Sequence, residues 1–219
     1  MTAPATLQID FVSDVVCPWC AIGLHALEQA AARLEGQVAL QWRFHPFELN
    51  PAMGQDGEDL LQHLAGKYGS SAAQMQQMHE AIAARGAQLG FVFDQQRRTR
   101  IVNTFDAHRL LHWQKEQGAE GGQRALEHAL FTAYFTRGED VSDHAVLLAL
   151  VASLGLDEQR AAAILAGDEY AGAVRQQEAQ WQARGIHSVP AIVINGRHLI
   201  QGGQPVEVFE QALRRIAAL

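Results

Sequence analysis

Leu7-Gln8-Ile9-Asp10-Phe11-Val12 alternates apolar and polar side chains, and Ser13-Asp14-Val15-Val16 leads from it to Cys17-Pro18-Trp19-Cys20. A period of two predicts a half-buried strand. Beyond Pro18 the period changes: Ile22, Leu27, Ala30 and Leu34 recur at helical spacing, and Gly36 supplies a stop. Val38-Ala39-Leu40-Gln41-Trp42-Arg43-Phe44 is strand-like again. A helix between two strands so close in sequence is a βαβ unit, which favours a parallel sheet. The two cysteines therefore fall where the first strand hands over to the first helix.

From about Asn50 to Arg184 no stretch reads as a strand. Gly138, Gly155, Gly167 and Gly185 each follow a helical stretch, where a left-handed C-cap belongs. Ser142, Asp157 and Asp168 sit at N-cap positions before periodic apolar runs. Strand character returns in Ala191-Ile192-Val193-Ile194 and Arg197-His198-Leu199-Ile200, and Asn195-Gly196 between them suits a two-residue hairpin turn. Pro205 opens a last helix whose buried stripe is Val206, Phe209, Leu213 and Ile216, with Arg214 and Arg215 near its negative end. The order is β-α-β, a helical block, then α-β-β-α. This is an α/β chain, with residues 1–54 and 166–219 forming one unit and residues 55–165 an inserted helical domain.

The 219 residues are 48% hydrophobic and 19% charged, a globular mixture with enough chain for a substantial core. Seventeen Lys and Arg against 24 acids leave a net charge of −7 and no basic tract. Nucleic acid and anionic membrane are accordingly excluded as expected partners. Nothing approaches an apolar run that spans a bilayer. Met1 to Thr6 lacks the basic start of a signal peptide, so the expected compartment is the cytoplasm. Two cysteines three residues apart cannot staple an extracellular fold, and in a reducing compartment such a pair is reactive or metal-binding.

Placement gives the pair a mechanism. Cys17 stands at a helix N-terminus, where unpaired N–H groups and the helix dipole favour an anion such as a thiolate. Cys20 lies one turn on, on the same side, close enough to form a disulfide with it. Cys17 would attack and Cys20 would resolve the mixed disulfide. A CxxC is also half of a zinc site, but a chain with two cysteines cannot build an all-cysteine centre, which takes four. His108 and His112, at i and i+4 of a predicted helix, lack the Glu of a zincin motif and read equally well as a solvated face. No metal is expected. Inert buried thiols are the remaining alternative. Only about 5–6% of X-Pro bonds are cis in folded proteins, so the Val189-Pro190 dipeptide alone argues against a cis bond there.

The combination resembles the DsbA family of thioredoxin-fold thiol oxidoreductases, and in its local words the FrnE-like cytoplasmic branch. The stretches that carry the resemblance are Ser13 to Cys20 with Ile22-Gly23, Pro46-Phe47-Glu48-Leu49-Asn50-Pro51, Asn103-Thr104 with Ala107-His108-Arg109-Leu110, Leu130-Phe131 with Ala133-Tyr134-Phe135, and Ser188-Val189-Pro190 followed by Gly202-Gly203-Gln204-Pro205. They span about residues 7 to 216. The resemblance implies a thioredoxin-like fold with a large helical insertion and a thiol–disulfide oxidoreductase activity. It implies a cis-proline at Pro190 facing the cysteines, and a Val189 backbone free to pair with a substrate strand. Trp19 would stand beside the nucleophile and help set its access and redox potential, and Pro18 suits the first turn because its φ is already helical. No cofactor is implied beyond the cysteine pair, with glutathione as a candidate thiol partner. Substrates would be protein or small-molecule thiols and disulfides, and the chain a monomer or a homodimer.

Departures from the family pattern are small: Ala21 where a Tyr is common, and Ser188 and Gly203 where Gly and Ala are common. The related kappa-class transferases and 2-hydroxychromene-2-carboxylate isomerases share the fold and form the alternative reading. They usually carry Ser at the first active-site position and an acidic residue near Gln204, so Cys17 and Gln204 weigh against them. Asp10 and Asp14 flank the site on the strand side, either as a proton relay to Cys20 or as strand-end residues. His108 either lines the cleft from the helical block or is a satisfied interior histidine.

Overall fold

In the computed structural model, which describes residues 4–118 and 121–218, β1 (Ala5–Ser13) leads into α1 (Pro18–Ala32) and then β2 (Val38–Pro46). Met1–Ala3 of the N-terminal stretch and Leu219 lie outside the described residues. A helical block follows: β3 (Glu58–Asp59), α2 (Leu60–Tyr68), α3 (Ala72–Gln88), β4 (Arg100–Ile101), α4 (Phe105–Gln117) and α5 (Gly122–Phe131). The last runs into a π-helical turn, Thr132–Arg137, before α6 (His144–Ser153), α7 (Glu158–Ala166) and α8 (Ala171–Ala183). The chain closes with β5 (Ala191–Ile194), β6 (His198–Gln201) and α9 (Val206–Ile216). Among the described residues, no helix is long and apolar enough to cross a membrane.

β1 and β2 pair in parallel, from Ala5 opposite Val38 to Ser13 opposite Pro46, as the βαβ reading requires. β5 joins the other side of β1 in antiparallel fashion, giving the order β2-β1-β5-β6. Ile9 and Phe11 face α1 and α9, in one buried cluster with Leu24, Leu27, Phe209 and Leu213. That cluster continues into the helical block through Trp113, Phe131 and Phe135. Val12, on the opposite face of β1, packs with Trp181 of α8, Phe47, Ile186 and Ala191. Both faces of β1 are therefore covered, and Asp10, at a position that reads as solvent-facing, is buried.

Several local expectations need correction. The helical block does contain strand: Glu58 pairs with Ile101 and Asp59 with Arg100, a ribbon too short to show alternation. Asp157 caps α7 as expected, but α6 is capped by the Asp143 carboxylate, which accepts from the Ala145 amide at 2.8 Å. The Ser142 hydroxyl is instead turned back to Asp140. The N-cap of α8 is Tyr170, and Asp168 offers only its carbonyl, to the Ala171 amide. Gly167 is extended, not left-handed, because Arg109 gathers the carbonyls of Ile164, Gly167 and Glu169 at the end of α7. Ile194 faces His198, so the hairpin loop has three residues, with Asn195 and Gly196 both at positive φ. Pro205 is the N-cap of α9 and stands one place before its first residue.

Two glycines let α1 meet the C-terminal loop. A Cβ at Gly23 would lie 3.2 Å from Pro190 Cγ, and one at Gly203 would lie 2.9 Å from the Trp19 carbonyl oxygen and 3.1 Å from Ile22 Cγ2. Alanine at position 203, a small change by family resemblance, is thus a backbone clash in this chain. We expect Gly203→Ala to destabilise the fold by about 1–3 kcal/mol, the usual cost of overpacking, read as a lowered urea midpoint.

Candidate active site

The first turn of α1 builds the site. The Asp14 carbonyl accepts the Cys17 amide at 3.0 Å, closing the turn that ends β1. Cys17 is the N-cap, in extended geometry, and its carbonyl takes the amides of Cys20 and Ala21 at 3.0 and 3.4 Å. Pro18 occupies the first helical position, where a missing N–H leaves nothing unpaired. Both cysteines are free thiols and both are buried, with Cys20 completely enclosed. Cys17 lies against the cis Val189-Pro190 segment, its Sγ 3.7 Å from the Val189 carbonyl oxygen. The chain thus brings together residues 172 positions apart, and the cis bond implied by the family resemblance is present.

Burial pushes the Cys20 thiol well above the ordinary cysteine value, and its hydrogen bond to Cys17 and the charge of Cys17 add to the rise. The Asp14 backbone opposes that rise and the Asp14 charge reinforces it. Cys20 therefore rests as a protonated thiol. Asp14 is fully buried, and its carboxylate accepts the Leu49 amide at 2.7 Å and the Val16 amide at 3.4 Å. His108, from α4, donates through Nε2 to the Phe47 carbonyl at 3.2 Å and stands 3.7 Å from the Asp14 carboxylate. Burial works against a charged His108, yet the neighbouring Asp14, with Glu127 and Glu178 beyond, holds its pKa above the ordinary histidine value. His108 is thus an interior residue behind the cysteines.

Asp10 is placed differently. Its carboxylate is taken up by His45 Nε2 at 2.9 Å and by the Gln8 amide at 2.8 Å, on the face of β1 turned away from α1. His112 is also buried, hydrogen-bonded to Gln177 of α8, so the solvated-face reading of His108 and His112 does not hold. Among the described residues, no group of three or more His, Cys, Asp and Glu is arranged to hold a metal ion.

In front of Cys17 lies a cleft of about 400 Å³. Its near wall is Pro18, Trp19, Ser188 and Val189, and its far wall comes from the helical block, with Leu64, Lys67 and Tyr68 of α2, Met78 and Ile82 of α3, and Arg98. Trp19 is 40% exposed at the rim. The far-wall residues escaped the sequence reading because they belong to no motif and share no spacing. Glu48 and Glu127 escaped it also. Glu127 is buried, accepts from the Ser13 hydroxyl at 2.6 Å, and is held above the usual carboxylate range chiefly by burial.

A mixed sheet with a dithiol on the first turn of the helix after β1 defines a thioredoxin-fold protein of the CxxC type. The chain belongs to the DsbA family: the DSBA-like thioredoxin domain matches residues 8–214. A probable DsbA oxidoreductase from Streptomyces coelicolor is 33% identical, with a TM-score of 0.87, over 95% of this chain and 89% of that one. The uncharacterized protein YwbO of Bacillus subtilis is 26% identical over 212 residues, 95% of this chain and 96% of its own. The cytosolic disulfide reductase DsbM from Pseudomonas aeruginosa, solved with GSH, shares the fold at 18% identity and a TM-score of 0.66, over 97% of this chain and all of that one.

Behind the site, Glu48 pairs with Arg175, which also reaches Glu178 at 2.9 Å. Burial first, and the Glu178 charge second, raise Glu48 to about 7 against the opposing pull of Arg175 and His108. A carboxyl whose folded pKa is raised lends stability below its ordinary value and loses it as pH climbs through the folded one. Between pH about 4.5 and about 7 Glu48 therefore makes the fold less stable as pH rises. Glu48→Gln should flatten that slope, seen as a smaller fall in urea midpoint between pH 5 and 7.

Proposed function

We propose that this protein is a thiol–disulfide oxidoreductase in which Cys17 is the nucleophile and Cys20 the resolving thiol. The observation that carries the reading is the difference between two neighbouring sulfurs: Cys17 stands at the wall of the cleft, and Cys20 is sealed behind it. The Cys17 thiolate attacks one sulfur of a substrate disulfide along the S–S axis, and the other sulfur leaves with the electron pair. Cys20 then gives up its proton and attacks Cys17 Sγ, which releases the second substrate thiol and leaves a Cys17–Cys20 disulfide. Two electrons pass to the substrate, and the reverse sequence oxidises a dithiol.

Asp14, which acts on Cys20, is the candidate acceptor for the proton it loses, with His108 3.7 Å beyond the Asp14 carboxylate. Asp10, bound to His45 on the other face, is left out of that path. Pro18 fixes the entry to the helix, Trp19 and Val189 form the walls beside the nucleophile, and Pro190 sets the loop against it. A cytoplasmic setting suits the free dithiol. Glutathione, with which the fold neighbour DsbM was solved, is a candidate small thiol partner. The isomerase or transferase alternative has less support. The first active-site position is a thiol, and the Gln204 amide is spent on the Gln201 carbonyl at 2.7 Å.

Cys17→Ser should abolish disulfide exchange. Cys20→Ser should accumulate a mixed disulfide with substrate, visible by intact mass under non-reducing conditions. Exchange that persists in Cys17→Ser would overturn the reading, and turnover with glutathione that survives Cys20→Ser would favour the isomerase alternative.

A further inference from the structure

Arg98 is the unexplained charge of the cleft. Its guanidinium lies over the rings of Phe135 and Tyr134, at 5.2 and 5.6 Å, on the far wall from the cysteines. Among the described residues it has no carboxylate within ion-pair distance and no side-chain hydrogen bond. The nearby Asp94 carboxylate is committed to Arg97 at 3.2 Å and to the amides of Gln96 and Arg97. A guanidinium drawn into a protein is ordinarily paired, because desolvating its charge is costly. Burial indeed pulls Arg98 below its ordinary pKa, with the charges of Tyr134 and Cys17 pulling the other way.

Three further observations point to what completes it. His79, which borders Arg98 in the same wall, buries its Nε2 without any hydrogen-bond partner. Lys67, on α2, lines the cleft with its Nζ on the neutral oxygens of Leu49 and Asn50 and, among the described residues, no carboxylate within ion-pair distance, although Glu58 and Asp59 stand on its far side. Among the described residues no Asp or Glu lines the cleft, although the chain as a whole carries a net charge of −7. A cationic pocket with an apolar body, in an acidic protein, concentrates anions at the one place where the dithiol opens.

We propose that Arg98, with His79 and Lys67, forms a carboxylate subsite, so that the preferred substrates are small disulfides bearing a carboxylate beside the sulfur. This rests on the oxidoreductase reading above and adds the substrate class. The guanidinium supplies a charge-assisted, two-pronged donor pair, and the His79 imidazole, if protonated at Nε2, a third donor. A volume of about 400 Å³ matches a low-molecular-weight ligand.

The test compares the second-order rate constants with which 3,3′-dithiodipropionate, a dianion, and neutral 2-hydroxyethyl disulfide oxidise the pre-reduced protein. The wild type should prefer the dianion, and Arg98→Met should lower the ratio by about 10-fold, the loss of one charge-assisted hydrogen bond. Lys67→Met, at an exposed position, should lower it less, and Arg98→Lys should restore part of it. A wild type without preference, or a ratio unmoved in both Met variants, overturns the subsite. Binding of the unreactive thioether 3,3′-thiodipropionate, followed by Trp fluorescence, separates this from the chemistry. Saturable binding weakened in Arg98→Met supports the subsite even where exchange fails, and absence of binding to the wild type refutes it even where exchange proceeds.

Discussion

One buried carboxylate holds the active site together. Asp14 has no access to water, so its charge must be met by protein groups. It is met by the amides of Leu49 and Val16 and by the nearby ring of His108, while its carbonyl accepts the amide of Cys17. Those partners belong to three segments: the turn leading to α1, the chain leaving β2, and a helix of the inserted block. The position of Cys17 depends on that turn, and the position of the cleft's far wall depends on the helical block docking behind it.

The same contacts divide the charges of the molecule. Behind the cysteines lie Asp14, Glu127, Glu48 and Glu178, enclosed and answered by Ser13, Arg175 and His108. In front lies a cleft with cationic groups and, among the described residues, no acid. Cys20 lies between the two, its thiol raised first by burial and then by the hydrogen bond and charge of Cys17, with the Asp14 charge adding last against the opposing Asp14 backbone. A thiol in that state is a poor first nucleophile and a good second one, released only when a partner disulfide with Cys17 has formed beside it. The proposed order of attack thus rests on burial: Cys17 stands at the wall of the cleft and Cys20 is enclosed behind it.

How much of this could be read from sequence depended on locality. β1, α1 and β2 were legible because each carries its own period, and the cysteines because they fall on the joint between two periods. Asp10 and Asp14 looked alike in sequence, four residues apart on either side of a strand end. They differ because Asp10 is still in β1, where alternation sends its side chain to His45, whereas Asp14 lies past Ser13 in a turn where alternation no longer applies. His108 and His112 looked like a solvated face because nothing local announces that α8 meets His112 and that the segments of Phe47 and Asp14 enclose His108. Glu48 stood inside a stretch that resembled the family, but its partner Arg175 lies 127 residues away.

The least legible part is the one that separates this chain from others built on the same sheet. The strands, the first helix and the proline loop supply a dithiol and a surface beside it, and any thioredoxin-type frame can do as much. The rest of the cleft is made by residues that face Cys17 from the helical block. Those residues come from α2, α3 and the segment before β4, which the fold places there only through the packing of the helical block on β1 and α1. Arg98 is held in that wall by two rings, Tyr134 and Phe135, both within the π-helical turn. A π-turn widens the helix by one residue and moves the side chains that follow it around the axis. The turn that appears as an irregularity in the helical block therefore supplies both rings on which the Arg98 guanidinium lies, across the cleft from the first turn of α1.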